Sequence, residues 1–398
     1  MTGEQVFDLK TRMDALVIFR QLLEDTVIAN FRAILHARCW EDGGRLAAPC
    51  AAFEAALFEH GDNWSEYLLN AVLESENVCI RQARNRISPV LMKSLESELA
   101  FLDRLARVRL EDLLEGLDGA PAFLTGWAVS PCSIAESYRD RMAEVGSRGY
   151  GIYARHHMFS LDDSGRTVPV RHPDPIRLDE LVGYGRERGL VMDNLRALLA
   201  GRPAANMLLT GDAGTGKSST VKAAGNALKD EGLRVIEIHR GQLRLIPALL
   251  DELSENPLKF ILFIDDLSFQ KGDDTYSGLK AVLEGSVSAR SGNVIICATS
   301  NRRHIVKENF SDRDGDDVHR NDTMQEAVSL SDRFGLHIRY QRPVKDEYLN
   351  IVHALAKRQG ADGPELDMLA ERFALERGGR SPRTAKQFVD ALAARETT

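Results

Sequence analysis

The stretch of sequence that decides the fold is Gly211-Asp212-Ala213-Gly214-Thr215-Gly216-Lys217-Ser218. It fits the phosphate-loop pattern G-x-x-x-x-G-K-S/T without a gap, and it lies between an apolar run, residues 206–210, and a helix-like segment, residues 218–231. Glycines let backbone N–H groups turn inward and form an anion-binding nest at a helix start, where the helix dipole adds attraction for phosphate. Because strand, loop and helix are all in place, the pattern predicts a phosphate-binding site rather than a chance glycine-rich turn.

Two side chains of this loop carry the expected chemistry. Lys217 is expected to reach the β- and γ-phosphates of a nucleotide, and the Ser218 hydroxyl is expected to bind Mg²⁺. The other residues expected to bind the nucleotide here are Gly211, Asp212, Ala213, Gly214, Thr215, Gly216 and Ser219.

The composition predicts a soluble globular protein with more than one domain. A chain of 398 residues is too long for one ordinary core, and its 43% hydrophobic and 28% charged residues are typical of folded proteins in water. No run approaches the roughly 18 apolar residues of a membrane span. The polar N-terminus also lacks the features of a signal peptide, so we expect a cytoplasmic protein without membrane contact.

Charge and cysteine content argue against several other classes of protein. A net charge of -8 disfavours broad affinity for nucleic acid. The five cysteines are an odd number without C-x-x-C spacing, which argues against a disulfide framework and against a zinc site.

The first third of the chain is predicted to be helical. Apolar residues recur every three or four positions over 16–35 and again over 91–113, which predicts an apolar stripe on each helix. Ser133 followed by Glu136 predicts a capped helix that ends near Glu144. The tryptophans are interpreted as packing residues rather than as ligand-stacking groups; they are Trp40, Trp64 and Trp127.

A hairpin and a proline-rich linker are predicted to end this region. Residues 150–170 contain two extended-looking runs around the turn 162–165, and the prolines of His172-Pro173-Asp174-Pro175 exclude a helix. We therefore predict a mainly helical N-terminal domain with a terminal hairpin and linker (1–172), an α/β nucleotide-binding domain (173–343) and a helical lid (344–398).

Strands and helices alternate after the linker, which predicts an α/β sandwich. The apolar strand Phe260–Ile264 ends in Asp265-Asp266, and a carboxylate at the carboxyl end of a buried strand beside a phosphate loop is where Mg²⁺ is held. Asp265 is the expected metal ligand, and Asp266 is expected to orient the attacking water. Another strand, 293–299, ends beside Asn301, whose amide is expected to hold that water or to sense the γ-phosphate.

Basic residues further along the chain have more than one interpretation. Arg302-Arg303-His304 either contact nucleic acid or a neighbouring subunit, or begin a solvated helix. The aspartate-rich stretch 311–321 is interpreted as a charged loop because it lacks the spacing of a calcium loop. Arg333 is the candidate for a charge supplied to another subunit's nucleotide, and Arg383 for a contact with the γ-phosphate. From position alone, a surface salt bridge is the alternative for both arginines.

With these residues assembled, the region 178–394 resembles an AAA+ ATPase. The matching strings are GDAGTGKS for Walker A, FILFIDD for Walker B, ATSN for sensor 1, LSDRFG for the arginine-finger box and SPRTAKQF for sensor 2. The resemblance implies an α/β fold, namely an AAA+ parallel-sheet P-loop domain with a C-terminal helical lid. It also implies ATP and Mg²⁺ as cofactors, and adenine contacts at Val182 and Gly183. Longer strings, among them DELVGY, GTGKSSTVKA and FIDDLSF, resemble one bacterial ATP-binding family known only as a domain of unknown function.

Three features depart from AAA+ patterns. Most remodelling AAA+ proteins end Walker B in Asp-Glu, whereas Asp266 is one methylene shorter, as is frequent in replication initiators and helicase loaders; this implies slow, switch-like hydrolysis. Pro382 stands where sensor 2 usually has glycine, which leaves the placement of Arg383 open. The string Arg240-Gly241-Gln242-Leu243 lacks the aromatic residue of an unfoldase pore loop, which disfavours a threading unfoldase.

The sequence leaves three functions open. The first is an ATP-driven homo-oligomer, with a ring as one arrangement, that acts as a switch or remodeller of an unidentified protein partner held by the N-terminal helices. The second is a nucleic-acid-linked loader or initiator-type ATPase, which the paired aspartates and Arg302-Arg303 favour. The net charge disfavours it, as does the expectation that no helix-turn-helix follows the lid. The third is a nucleotide-binding scaffold that does not hydrolyse ATP.

Overall fold

The chain folds into two compact units, Met1–Arg155 and His156–Thr398. The computed structural model describes residues 1–40, 42–117, 123–267, 279, 283, 292–301, 333–361 and 363–396. The basic cluster 302–304, the aspartate-rich stretch 311–321 and Asp332 of the arginine-finger box lie outside the described residues. Within the described part of the chain, no helix combines the length and the apolar character needed to cross a membrane.

The N-terminal unit is built from helices. They are α1 (Gly3–Asp14), α2 (Thr26–Arg38), α3 (Ala47–Phe58), α4 (Trp64–Glu74), α5 (Val78–Arg81), α6 (Pro89–Leu105), α7 (Leu110–Leu114), α8 (Ile134–Ala143), α9 (Val145–Arg148) and α10 (Ile152–Arg155). The predicted start of α8 is confirmed, because the Ser133 side chain accepts a hydrogen bond from the N–H group of Glu136.

An aromatic cluster lies in the core of this unit. Phe31 stacks on Trp64 with ring centroids 4.5 Å apart, and Phe53 packs edge-on against Trp127 at 4.6 Å. Both indole N–H groups donate to backbone carbonyl oxygens, so burial leaves neither donor unpaired. The packing interpretation is therefore confirmed for these two tryptophans. It is wrong for Trp40, which is 71% exposed because it follows the end of α2 instead of lying on its buried stripe.

The apolar stretch 16–35 does not form one helix. α1 ends at Asp14, and a short 3-10 helix follows at Arg20–Glu24. The Asp25 carboxylate then caps α2 by accepting a hydrogen bond from the N–H group of Ile28 at 3.0 Å. Spacing of three or four residues continues across this break, so periodicity alone does not reveal it.

The second unit is organised around one sheet. Its strands are β1 (Met158–Leu161), β2 (Thr167–Pro169), β3 (Met207–Gly211), β4 (Leu233–Glu237), β5 (Lys259–Ile264), β6 (Val294–Ser300) and β7 (Leu336–Tyr340). The strand order is β2-β1-β4-β5-β6-β3-β7; β1 and β2 pair antiparallel, and the other named pairs are parallel. The expected parallel sheet is confirmed, with β6 between the strand before the phosphate loop and the strand before the two aspartates.

The predicted hairpin exists, but it belongs to this sheet and not to the N-terminal unit. β1 pairs parallel with β4, with Met158 opposite Val235. The compact units accordingly divide between Arg155 and His156, whereas the sequence led us to expect a boundary near residue 172. The turn and the prolines mark a hairpin and a linker, but they carry no information about which distant strand the hairpin joins.

Helices complete the second unit. They are α11 (Gly185–Leu199), α12 (Lys217–Leu228), α13 (Ile246–Ser254), α14 (Lys345–Gln359), α15 (Leu366–Glu376) and α16 (Pro382–Glu396). The last three correspond to the predicted lid and share a hydrophobic core of their own, in which the Tyr348 hydroxyl donates to the carbonyl oxygen of Ala370. They belong to the same compact unit as the sheet.

Candidate active site

The loop between β3 and α12 is shaped by three glycines with positive φ. The φ angle is 146° at Gly211, 80° at Gly214 and 90° at Gly216, values that favour glycine. Space also requires glycine at the first position, because a Cβ there would lie 2.0 Å from the carbonyl oxygen of Tyr340 at the end of β7. The loop can thus curl around an anion at the N-terminus of α12.

Lys217 is held across the mouth of this loop. It is only 5% exposed, and its Nζ donates to the carbonyl oxygens of Gly211 and Asp212, both at 2.8 Å, and to Asn301 Oδ1 at 2.9 Å. Burial lowers the pKa of the ammonium group, while nearby aspartates, Asp265 first among them, act to raise it. The structure therefore brings together Lys217 and Asn301, which the sequence placed at the end of the strand 293–299 beside the same crevice.

Asp265 lies beside Ser218, the expected metal-binding hydroxyl. The Ser218 hydroxyl donates to Asp265 Oδ1 at 2.6 Å, and the Thr299 hydroxyl donates to the same oxygen at 2.5 Å. A carboxylate and a hydroxyl are hard oxygen donors of the kind Mg²⁺ takes, and Mg²⁺ commonly uses few protein ligands alongside water and phosphate. The residues present therefore fit the expected ion.

Asp266 is fixed in an unusual backbone conformation. Its φ is 51°, a left-handed value that is uncommon outside glycine, and its N–H group donates to the Thr299 hydroxyl at 2.9 Å. Asn301 Nδ2 donates to Asp266 Oδ1 at 2.8 Å. Hydrogen bonds therefore join Lys217, Asn301 and Asp266 into one chain at the carboxyl edge of the sheet, and strained backbone of this kind is typical of functional sites.

A cavity of about 250 Å³ adjoins the phosphate loop. Its lining includes Val182, Tyr184, Gly216, Ile351, Leu355 and Arg383. Val182, the expected adenine contact, thus lines a cavity beside the phosphate loop. Gly183 packs closely as well, because a Cβ there would lie 3.1 Å from Ile351 Cδ1. The Tyr184 ring lies 5.1 Å from that of Tyr340, so an apolar and aromatic space suited to a planar base adjoins the anion-binding loop.

Arg383 lies against the phosphate loop. Its backbone N–H group donates to the carbonyl oxygen of Gly214 at 3.1 Å, and a Cβ at Gly214 would lie 3.0 Å from Arg383 Cβ. Pro382 is the first residue of α16, a position that suits proline because the N–H group it lacks would have no intrahelical partner there.

Arg333 is not brought to the site within the same chain. β7 begins at Leu336, which is paired with Met207, the first residue of β3. Arg333 precedes that pair, whereas the phosphate loop follows the other end of β3. A strand of 5 residues spans about 13 Å at 3.3 Å per residue. Arg333 and the phosphate loop therefore lie at opposite ends of the neighbouring strands β3 and β7.

The sequence reasoning missed several residues of the site. Thr299 binds both Asp265 and the backbone of Asp266, and its position two residues before Asn301 at the end of β6 was a usable signal. The wall formed by Tyr340, Ile351 and Leu355 had no local signal, because these residues come from β7 and α14 and meet only in the fold.

A comparison with protein-family models finds a match that covers the second unit. The model of the family described as "Protein of unknown function (DUF815)" matches residues 154–396. The chain belongs to this family. The match begins two residues before the second unit, so it covers the sheet, the site and the lid helices, and it confirms the expected membership of a family of unknown function. No curated protein matches the chain.

Solved structures similar to this DUF815 chain include three proteins of known name. The Thermotoga maritima RuvB Holliday junction branch migration motor is 17% identical, with 54% of this chain and 63% of that chain covered and a TM-score of 0.36. The Aeropyrum pernix ORC1 protein in complex with DNA is 14% identical (55% and 61% covered, TM-score 0.41). The E. coli MS115-1 HORMA:CdnC:Trip13 complex matches with 15% identity (56% and 92% covered, TM-score 0.38).

The likeness to these structures is limited. The DUF815 chain spans about three fifths of the length of the RuvB chain that it matches. A TM-score below 0.5 is too low to indicate what the DUF815 chain binds. The architecture expected from the sequence is confirmed by the structure itself: an α/β domain with a mainly parallel sheet, a phosphate loop between β3 and α12 and C-terminal helices, preceded by a helical N-terminal region.

Proposed function

We propose that this chain binds ATP with Mg²⁺ and hydrolyses it, as an oligomeric switch or remodeller of a protein partner. The observation that carries this proposal is the chain of hydrogen bonds from Lys217 through Asn301 to Asp266, beside the Ser218–Asp265 pair. It joins a phosphate-binding cation to a carboxylate at the edge where a γ-phosphate would lie. A scaffold that only binds nucleotide does not need the second of these hydrogen bonds, the one from Asn301 to Asp266.

Each part of the site has a role in hydrolysis. The cavity lined by Val182 and Tyr184 takes the adenine base, and the glycine loop takes the phosphates. Ser218 and Asp265 would hold Mg²⁺, which when bound neutralises charge on the phosphate oxygens. Asp266 orients a water molecule whose oxygen attacks the γ-phosphorus. The bond from that phosphorus to the β–γ bridging oxygen breaks, and the water passes a proton to the Asp266 carboxylate, giving ADP and inorganic phosphate.

The position of Arg333 supports an oligomer. Arg333 precedes β7 at the end of the β3–β7 pair that lies away from the phosphate loop, so a nucleotide that it contacts would be that of a neighbouring copy and not its own. An arginine supplied in this way stabilises charge that develops on the transferred phosphoryl group. The second copy would therefore complete the active site.

A pair of substitutions tests hydrolysis directly. Asp266→Asn is expected to keep ATP affinity within about threefold, because the amide still accepts a hydrogen bond, while turnover falls about a hundredfold or more because an amide cannot act as a base. Calorimetry measures the affinity and phosphate release measures the turnover. Asp193→Asn is the matched control, since Asp193 is an exposed acid on α11 outside the site.

The outcomes separate the remaining alternatives. Equal turnover in Asp266→Asn and wild type would move the base to another residue. A wild-type chain that binds ATP without releasing phosphate at any protein concentration would favour the scaffold. The nucleic-acid alternative relied in part on Arg302-Arg303, which lie outside the described residues.

A further inference from the structure

The N-terminal unit contains a cleft of about 870 Å³, against about 250 Å³ for the cavity beside the phosphate loop. It lies between the start of α2, the end of α3, the loop 59–63 and α4. A volume of this size admits several side chains at once. No residue of the cleft belongs to the nucleotide site.

The floor of the cleft is apolar and made of short side chains. Ala52, Ala55 and Ala56 contribute from α3, and Ala71 contributes from α4. Because an alanine side chain is a single carbon, this floor leaves room for larger apolar side chains of a partner to approach the helices.

The rim of the cleft is acidic. Five carboxylates face it, from Asp25, Glu59, Asp62, Glu66 and Glu74, against one arginine, Arg155. Arg155 is already paired with Glu74, and Asp25 caps α2. Among the residues that the structure describes, no lysine or arginine forms an ion pair with the other three, which are exposed. The rim therefore carries uncompensated negative charge around an apolar floor.

An aromatic wall lies beside these carboxylates. The Tyr67 hydroxyl donates to Asp25 Oδ2 at 2.8 Å, and its ring lies 5.3 Å from that of His60. Burial, and then Asp25, raise the pKa of Tyr67, so its hydroxyl keeps the proton that holds the ring in place. An aromatic face next to carboxylates suits a guanidinium or ammonium group, which is attracted to both.

We propose that this cleft binds a basic polypeptide segment, with arginine or lysine side chains among Glu59, Asp62 and Glu66 and apolar side chains on the alanine floor. Charge complementarity selects this partner, since a phosphate backbone would meet the same carboxylates unfavourably. The inference rests on the proposed function only in assigning the segment to the protein partner of the ATPase.

Binding of a defined probe to the full-length chain tests the cleft. The probe is a short fluorescein-labelled peptide of arginine, leucine and alanine, and its control has glutamate in place of arginine. Fluorescence anisotropy is expected to show binding of the basic peptide alone, with affinity that falls as salt screens the charges. The triple variant Glu59→Gln, Asp62→Asn, Glu66→Gln is expected to lose about tenfold in affinity, as three partly exposed charge pairs imply together.

Matched variants separate the cleft from a general charge effect. Glu96→Gln, Glu111→Gln, Asp140→Asn removes the same charge from exposed acids outside the cleft and is expected to leave the affinity within about twofold. Ala55→Phe fills the floor and is expected to weaken binding, whereas Ala48→Phe, an exposed alanine of α3 outside the cleft, is not. Equal losses in both triple variants, unchanged affinity in Ala55→Phe, or equal binding of the glutamate peptide would each overturn the proposal.

The test stays separate from that of ATP hydrolysis. Peptide binding is measured without nucleotide and repeated with Lys217→Ala, whose ATP site is disabled. If the wild type binds the basic peptide but releases no phosphate, the cleft stands and the proposed hydrolysis is wrong. If phosphate is released but the peptide does not bind, only the cleft proposal is overturned.

Discussion

Carboxylates serve different purposes in the two units. In the N-terminal unit, both oxygens of Glu98 accept hydrogen bonds from the backbone N–H groups of residues 17–19 at 2.8–3.1 Å. In the second unit, Asp265 Oδ1 accepts from the hydroxyl groups of Ser218 and Thr299, and from one backbone N–H group, that of Asp266. Backbone donors stay where the fold places them, whereas hydroxyl groups can turn toward a metal ion or water.

The backbone conformation at the structural acid also differs from that at the catalytic candidate. Glu98 lies within the regular helix α6, whereas Asp266 has a left-handed φ of 51° at the end of β5. Asp266 is exposed and has a strained backbone, and its side chain bonds to another side chain, as is typical of a catalytic acid. Glu98 is half-buried and bonds to backbone N–H groups, so it holds a loop in place. The comparison teaches that the partners of an acid, more than its identity, separate a structural role from a catalytic one.

The largest expected effect tests the catalytic side of this comparison. Lys217→Ala is expected to remove ATP binding, because Lys217 is the cation that the structure places across the phosphate loop. Lys222→Ala, on the same helix but outside the loop, is the control and should bind ATP normally. Calorimetry checks both, and wild-type affinity in the Lys217 variant would remove the phosphate-loop assignment.

The next effect concerns turnover rather than binding. Arg333→Ala is expected to bind ATP almost normally and to hydrolyse it on the order of a thousandfold more slowly, as is found for arginines supplied in trans. Mixing it with Lys217→Ala should restore part of the activity, because the second protein lends its Arg333 to a neighbour that still binds ATP. Activity per chain should also rise with protein concentration. Flat activity on dilution and no complementation would contradict an oligomeric site.

The sequence predicted the second unit much better than the first. The strand ending in Asp265-Asp266 and the phosphate loop after an apolar run each depend on a local run of residues, and the structure has both. The alternation of strands and helices predicted the α/β class and the parallel sheet, but not the order of the strands. Thr299 was missed although its position at the end of β6, two residues before Asn301, was a usable signal.

The N-terminal unit contains features that local sequence patterns cannot predict. Glu98 and the loop that it holds are about 80 positions apart in sequence, as the bond from Ile18 N–H to Glu98 shows. The break in the apolar stretch 16–35 therefore depends on a contact that periodicity cannot contain. The cleft between α2, α3 and α4 likewise results from helix packing, and no sequence motif predicts it.

A third substitution tests the structural side of the comparison. Glu98→Gln keeps the size of the side chain but replaces one accepting oxygen with a donor, so about half of the backbone N–H groups of the loop lose their partner. The free energy of unfolding is expected to fall by about 2 kcal/mol. All three tryptophans lie in the N-terminal unit, so urea denaturation followed by their fluorescence reports on that unit.

The matched control lies on the same helix. Glu96 is exposed and two residues earlier, so Glu96→Gln should leave the free energy of unfolding within about 0.5 kcal/mol of that of the wild type. Equal midpoints for Glu98→Gln and Glu96→Gln would mean that the loop 17–19 is held by its apolar contacts and not by the carboxylate.

The smallest expected effect concerns an ion pair next to the phosphate loop. Arg342 Nε lies 3.3 Å from Asp212 Oδ2, and the two side chains are 56% and 48% exposed. Its Nη1 also donates, at 3.5 Å, to the carbonyl oxygen of Gly378 before α16, so the pair links the loop to the lid. Exposed pairs of this kind contribute about 0–1 kcal/mol, because water and salt screen the charges.

Arg342→Ala is therefore expected to change the free energy of unfolding by less than about 1 kcal/mol and ATP affinity by less than about threefold. The reason is that the backbone already joins loop and lid, through the bond from Arg383 N–H to Gly214 and the close packing of these two residues. Arg339→Ala, an exposed arginine on β7, controls for loss of surface charge. A double-mutant cycle with Asp212→Asn at low and high salt measures the pair itself, and the coupling should vanish at high salt. A coupling above about 2 kcal/mol that persists in high salt would show that the ion pair, and not the backbone contact, positions the lid on the phosphate loop.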